Sequence, residues 1–448
     1  TVTLGDSGDT FTIPAGATIN NQGTAVNFGA TGSASWVTTV KTTDFTAVAG
    51  EGYFVNTTSG EIDVTLPAGS AGDVVAISDY ANNFATANCI LIQNGSDKIG
   101  GSAINSTLNV NGVAVTLVFV DATKGWIVTD SGNQSEVPQP TFITATGGTP
   151  TTSPCGNYKI HTFTGPGTFC VSAVGNSAGS NSVDYLVVAG GASGGFANGG
   201  GGGGGAGGLR YSASTFSNPT PLGGAAGNAL PVSVQGYGVV TGGGGASKSG
   251  SPDYQRGDNG SVSTFSTITS TGGGGGGGAS CQSNGPGATG GSGGGGGKGP
   301  ASPGQPGGAG NTPSVSPSQG QPGGIGGQLA PAPANTGGGG GGHAVTGTNA
   351  SPGQGGNGGN GSVVAINGSS TSYAGGGGAN HEGNPGPSQG AGGTGGGGPG
   401  GQTGGPTGSI GGGVNTGGGG GGADSQPNAG ISSGAGGSGI VIIRYKFQ

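Results

Sequence analysis

The sequence predicts an all-β protein that finishes in a region built from glycine: an N-terminal β stalk, a β-sandwich or barrel-like domain, then polyglycine II rods bracketed by β-strands. Three observations predict this. Through residues 1–189, short runs of β-branched and aromatic residues alternate with Gly, Asn, Asp and Pro turns, with no helical periodicity. Glycine is divided unevenly, with 24 in residues 1–189 and the other 97 of 121 in residues 190–448. In the second part it is gathered into runs of four to seven, such as Gly199–Gly205, Gly272–Gly278, Gly337–Gly342 and Gly417–Gly422.

Residues 1–34 carry thin β-type segments between Gly, Asp and Asn, too short to bury much alone, and read as a stalk that gains partners by stacking or association between chains. Residues 35–135 read as a compact all-β domain. Its strands are expected at 35–41, 52–56, 62–66, 74–79, 90–93, 107–110, 113–120 and 125–129, a spacing that suits a sandwich or barrel. The Asn111-Gly112 pair between two apolar runs predicts a type I′ turn, with positive φ at both positions. Residues 136–156 read as a linker, because the prolines of QSEVPQP remove backbone donors. Strands follow at 158–163, 168–174 and 183–189, with Gly165-Pro166-Gly167 as the turn between the first two.

The third of these strands runs straight into glycine as VDYLVVAGGASGG, and the chain closes as GAGGSGIVIIRYKF. Together with NYKIHTFTGPGTFCVSAV, these brackets resemble the glycine-rich domain of bacteriophage tail fibres, common in marine phages, over roughly residues 157–448. The resemblance implies a virion structural protein that recognises a host surface through loops of its glycine-rich part. It also implies the polyglycine sandwich known from the tip adhesins of T-even-like phages. Cys155 and Cys170 are not part of that pattern.

A polyproline II helix makes three residues per turn and leaves its backbone N–H and C=O groups pointing outward. Without Cβ atoms such helices can lie side by side and satisfy one another, so the runs are expected to stack as rods. Strand 440–445 is expected to pair with 183–188 and close the excursion. Disorder competes with this reading, because ordering each glycine costs about 1–2 kcal/mol of backbone entropy against about 1 kcal/mol net for a hydrogen bond. Collagen does not fit, since SVSTFSTITST breaks any strict triplet.

The net charge of −7, with the ten Lys and Arg scattered, argues against a nucleic-acid surface. No apolar run approaches a membrane span. The chain opens at Thr1 and holds no Met, so a processed product or a fragment is expected. Gly-rich motif matches carry no weight at this composition; GGGGGKGP, with Lys298, lacks the Ser or Thr of a phosphate loop. No CxxC pair suggests zinc, and no cofactor is expected. Asp63, Asp73, Asp79 and Asp121 read as turn residues rather than paired catalytic carboxylates, and His161, His343 and His381 are far apart in sequence, so the chain does not read as an enzyme. Cys155 and Cys170 bracket a candidate hairpin and could pair as a disulfide; two free thiols is the alternative.

Candidate receptor contacts are the side chains that stand out between glycine runs, namely Asp253, Tyr254, Arg256, His343, Tyr373, His381 and Glu382. The full expectation is an extracellular tail-fibre protein, as a homotrimer, joined to other virion tail proteins at its N-terminal side and meeting a host protein or glycan. A bacterial surface filament or matrix protein, and a passive spacer within the virion, are the alternatives.

Overall fold

The computed structural model describes residues 34–134, 140–218, 226–250, 254–278, 284–299, 304–328, 335–381, 389–401, 408–425 and 431–448. The expected stalk, apart from residue 34, lies outside them. The chain divides into two compact units, 1–139 and 140–448. Every regular element of the described residues is a strand or bridge apart from one helical-turn residue, Gln134. Among the described residues no helix is long and apolar enough to cross a membrane.

In the first unit the chain alternates between two sheets. Strands β1 (Ser35–Lys41), β3 (Glu51–Val55) and β5 (Val74–Asp79) pair in parallel in one sheet, and β2 (Phe45–Thr46), β4 (Ile62–Thr65) and β6 (Cys89–Ile92) pair in parallel in the other. Each winding adds one strand to each sheet, as in a parallel β-helix. The chain then reverses: β7 (Ser106–Leu108) runs antiparallel to β6, β8 (Val113–Phe119) to β5, and β9 (Trp126–Asn133) to β8. Both sheets remain open, so no barrel closes. Period-2 burial along β4, β6 and β8 sends Val64, Leu91, Val115 and Leu117 into one core with Phe84 and Trp126.

The Asn111-Gly112 turn forms, but not as expected. Gly112 has φ 72° while Asn111 does not take a positive φ, and the flanking strands β7 and β8 belong to different sheets. The buried Asp79 carboxylate holds the corner instead, accepting the amides of Gly112 (2.9 Å), Asn83 (2.9 Å) and Phe84 (3.1 Å).

The second unit begins inside the segment read as a linker: β10 (Thr144–Thr146) and β11 (Thr149–Thr152) are strands, so the linker reading fails over these residues. They pair with β13 (Gly167–Ala173) and β12 (Tyr158–Phe163), respectively. The Gly165-Pro166-Gly167 turn is likewise a corner between sheets, because β12 and β13 lie in different ones. Next come β14 (Ser182–Val188), β15 (Phe196–Ala197), β16 (Leu209–Tyr211), β17 (Leu230–Pro231), β18 (Gly236–Val240), β19 (Tyr254–Gln255), β20 (Ser263–Phe265) and β21 (Ile268–Ser270). Four short strands follow, β22 (Gly327–Gln328), β23 (Asn335–Thr336), β24 (Ser362–Val364) and β25 (Thr371–Tyr373), then β26 (Ala423–Asp424) and β27 (Ile440–Lys446).

The closing strand pairs as the sequence suggested, with Asp184 opposite Arg444 and Val188 opposite Ile440. Its sheet runs β11-β12-β27-β14-β16, so β27 sits between β12 and β14. Alternate residues of β27 enter different cores: Val441, Ile443 and Tyr445 face the sheet β10-β13-β18-β20-β21, while Ile440 and Ile442 join Leu186, Leu209, Ile366 and Tyr373. Burial on both faces explains why VDYLVV and IVIIRY, interrupted only at Asp184 and Arg444, read as continuous apolar runs rather than alternating ones.

Glycine rods run back and forth from this β base. Around residues 200–208 the bonding repeats every three residues. Gly202, Gly203 and Gly204 donate to Gly277, Gly338 and Gly420; Gly205, Ala206 and Gly207 donate to Gly274, Gly341 and Gly417. A return to the same neighbour after three residues is the signature of the polyproline II turn. The carbonyls of this rod are met from three further segments: Ala192 and Gly195 donate to Gly205 and Gly202, Ser292 and Gly295 to Ala206 and Gly203, and Gly377 and Asn380 to Gly204 and Gly201. The rod thus has six hydrogen-bonded neighbours, and almost no side chains are interposed. A Cβ on Gly203 would come within 3.0 Å of Gly377 O, and one on Gly340 within 3.0 Å of Gly204 O, in both cases backbone that cannot swing aside.

Outer rods follow a different rule. In four of them the exposed position recurs every third residue and carries a side chain: Pro306, Ala309 and Thr312; Pro322 and Ile325; Gln354, Asn357 and Asn360; Ala391 and Thr394. Two of these side chains replace a missing neighbour, Asn357 Oδ1 accepting from Ala391 N (2.8 Å) and Asn360 Oδ1 from Thr394 N (3.0 Å).

Candidate functional site

The rods give the bundle two unlike ends. At the base, residues 189, 208 and 271 meet in a chain of bonds, Ala189 N to Gly208 O and Gly208 N to Thr271 O, directly below β14, β16 and β21. At the far end, three separate connections are stitched into one small sheet, β19 antiparallel and β26 parallel to the central β15. Phe196 and Ala197 of β15 are buried there, and the buried Asp424 carboxylate accepts Gly199 N at 2.9 Å.

Between residues 212 and 439 the described Lys, Arg, Asp and Glu residues are Lys248, Arg256, Asp258, Lys298 and Asp424; Arg256, Lys298 and Asp424 lie towards the far end, while Asp258 is bonded to Ser193, midway along a rod. Lys248 and Asp258 form an ion pair of 2.6 Å. Their placement is not legible along the chain, because these residues are scattered over nearly 180 positions and only the back-and-forth path of the rods brings them into one bundle.

The candidate contact residues separate by location. Tyr254 is 42% exposed and Arg256 is exposed, both at the far end. Asp253 and Glu382 lie outside the described residues. His343, Tyr373 and His381 are buried, at 3%, 4% and 8% exposure, so their side chains are not offered to a partner. Tyr373 belongs to the apolar cluster beside the β base. His381 bridges Thr336 where two rods end. His343 closes a rod turn: its N–H donates to Ala374 O (2.9 Å) and its ring Nδ1 lies 2.6 Å from Ser362 Oγ.

Burial pushes the His343 pKa down from 6.5 to about 4. The unfolded chain therefore takes up this proton at higher pH than the folded one, and stability held above about pH 6.5 is lost as pH falls towards 4. By the usual conversion this site alone removes about 3 kcal/mol across that window. Denaturant midpoints measured from pH 7 to pH 4 should show the loss, and H343Q should flatten it.

The cysteines do not bridge. Cys155 and Cys170 are both free and exposed. Cys155 lies in the turn between β11 and β12 and Cys170 on β13, in a different sheet, so they do not flank a hairpin. Cys281 lies outside the described residues. Among carboxylates weighed for catalysis, Asp73 accepts Ser70 N (2.8 Å) and Asp121 accepts Thr123 N and Lys124 N (both 2.8 Å), the geometry of turn residues. Among the described residues no three His, Cys, Asp or Glu side chains gather so as to hold a metal.

Buried charge serves the β base. Asp184 accepts from Ser212 Oγ, from Ser214 N and Oγ and from Thr215 N and Oγ1, between 2.6 and 3.1 Å. Arg444 lies over the rings of Tyr158 and Phe216 and donates to Ile366 O and Thr215 O.

A family profile described as a glycine-rich domain matches residues 162–446. The chain belongs to this glycine-rich domain family. The matched span opens within β12 and closes at the end of β27, so the family unit includes the strands that start and finish the excursion as well as the rods. Among curated proteins, none matches the sequence.

Proposed function

We propose that this is a virion structural protein of a phage tail fibre, in which the far end of the glycine bundle meets the host surface. The observation that carries the reading is the exposure of Tyr254 and Arg256 at one end of a bundle that is rooted at its other end in a double-sided β base. Tyr254 is paired in a small sheet and Gly257 is bonded to a neighbouring rod, and side chains presented on such fixed backbone lower the ordering cost of a contact. The resemblance of the bracketing strands to those of tail fibres supplies the biological setting. In this reading the chain is a homotrimer outside the host cell, held to other tail proteins at its N-terminal side, taking neither nucleic acid nor cofactor, performing no catalysis and not inserting into membrane.

The test is competition. The purified chain, added to host cells before virions, should reduce adsorption in proportion to occupancy, whereas Y254A/R256A should compete poorly. Undiminished adsorption at saturating protein, or cell binding that survives the double substitution unchanged, would overturn the reading.

A further inference from the structure

We infer that Tyr254 and Arg256 form a binding site for an anionic saccharide, one bearing carboxylate or phosphate; this rests on the host-contact reading above and narrows it. The two side chains flank Gln255 in extended chain, and successive side chains of an extended segment point to opposite sides. Gln255 is half-buried, its Nε2 donating to Ser249 O (3.0 Å), while Tyr254 and Arg256 on either side of it are exposed.

The segment is held from several directions. Tyr254 is paired opposite Ala197, its carbonyl accepts Asn284 Nδ2 (3.2 Å), Gly257 N donates to Gly276 O (2.8 Å), and the Lys248–Asp258 pair closes the flank. The ring and the guanidinium are thus presented on fixed backbone.

Chemistry selects the ligand. Lys248 is neutralised by Asp258, whereas among the described residues the Arg256 side chain has no hydrogen-bond or ion-pair partner, which leaves its donor fork for a ligand. A guanidinium fork matches carboxylate or phosphate in bidentate fashion. Tyr254 supplies a flat apolar face for the C–H side of a sugar ring, with a hydroxyl at its edge. The nearby residues Ser249 and Gly250 are exposed and offer groups suited to hydroxyls. A protein partner would call for a contiguous apolar core, and the described residues next to Tyr254 offer one ring alone.

The experiment measures binding of the full chain by calorimetry to trigalacturonate, to a phosphorylated mannan fragment and to neutral maltotriose, with polyglutamate as a charged non-sugar. Binding to trigalacturonate or to the phosphomannan is expected, the stronger of the two identifying the acid group, with at least tenfold weaker binding to maltotriose and polyglutamate. R256A should abolish it, R256K should weaken it about tenfold, Y254A should weaken it and Y254F should preserve it. Equal binding to polyglutamate, no binding to either anionic sugar, or binding untouched by R256A would overturn the inference. If the chain blocks virion adsorption yet binds neither anionic sugar, the host-contact reading stands and the saccharide assignment falls. If it binds the sugar but never blocks adsorption, the saccharide site stands and the host-contact reading falls.

Discussion

Gly340→Ala should destabilise the second unit by about 3 kcal/mol or more, the upper range of an overpacking substitution, while Gly243→Ala should stabilise it slightly. Gly340 is in an interior rod: it donates to Gly377 O, accepts from Gly359 N, and an added Cβ would press on the backbone of Gly203 and Gly204. Relief would require parting rods that are bonded to other rods, so the strain spreads. At Gly243, on an outer rod, nothing lies within 4 Å of the added Cβ and φ is not positive. There the methyl group chiefly restricts the unfolded chain, an effect of about 0.4–1 kcal/mol in favour of folding. Denaturant midpoints of the two variants should move in opposite directions. A shift of the same sign and size in both would mean that the glycines are needed for something other than close approach.

Removing residues 440–448 should unfold the entire second unit while leaving the first intact. Strand β27 is the shared partner of β12 and β14 and feeds side chains to two cores. Without it both cores lose a wall and the rods lose their anchored base. Single truncations grade the effect: Ile443→Ala, at a site with 0% exposure, should cost about 2–5 kcal/mol. Limited proteolysis checks the deletion, with cleavage expected throughout residues 190–438 and protection retained in residues 35–134. A rod region that stays resistant would show that the bundle stands without its clamp.

Much of the fold can be read along the chain. The strands at 35–41, 74–79 and 158–163 stand where local apolar patterning puts them, because their burial depends on their own sequence. The parallel winding of the first unit is not legible. It is set by pairing between strands two apart, and one of its members, Phe45–Thr46, is two residues long. The supposed linker misled because β11, TPTT, is exposed along its whole length and contains Pro150, features of an edge strand that also describe a loop.

For the candidate site, legibility was partial. Tyr254 and Arg256 stood out as bulky residues amid glycine and are exposed. His343 and Tyr373 stood out for the same reason and are buried, because a large residue next to a rod can serve equally as a plug at the base. A signal was present that separates the rods: glycine runs of five or more are interior, while paired glycines between single larger residues, as in PGGAG, PGGIG and QGGNGGN, mark outer rods. The three-residue turn turns every third side chain to solvent, and in the interior there is no solvent side.

Amide hydrogen exchange of the interior rods, followed by NMR, tests the account most directly. Residues 202–207 and 338–341 should exchange as slowly as the amides of β14 and β27, since each is bonded to a neighbouring rod and buried. Exchange of those glycines at the rate of an unstructured chain, with β14 and β27 still protected, would contradict it.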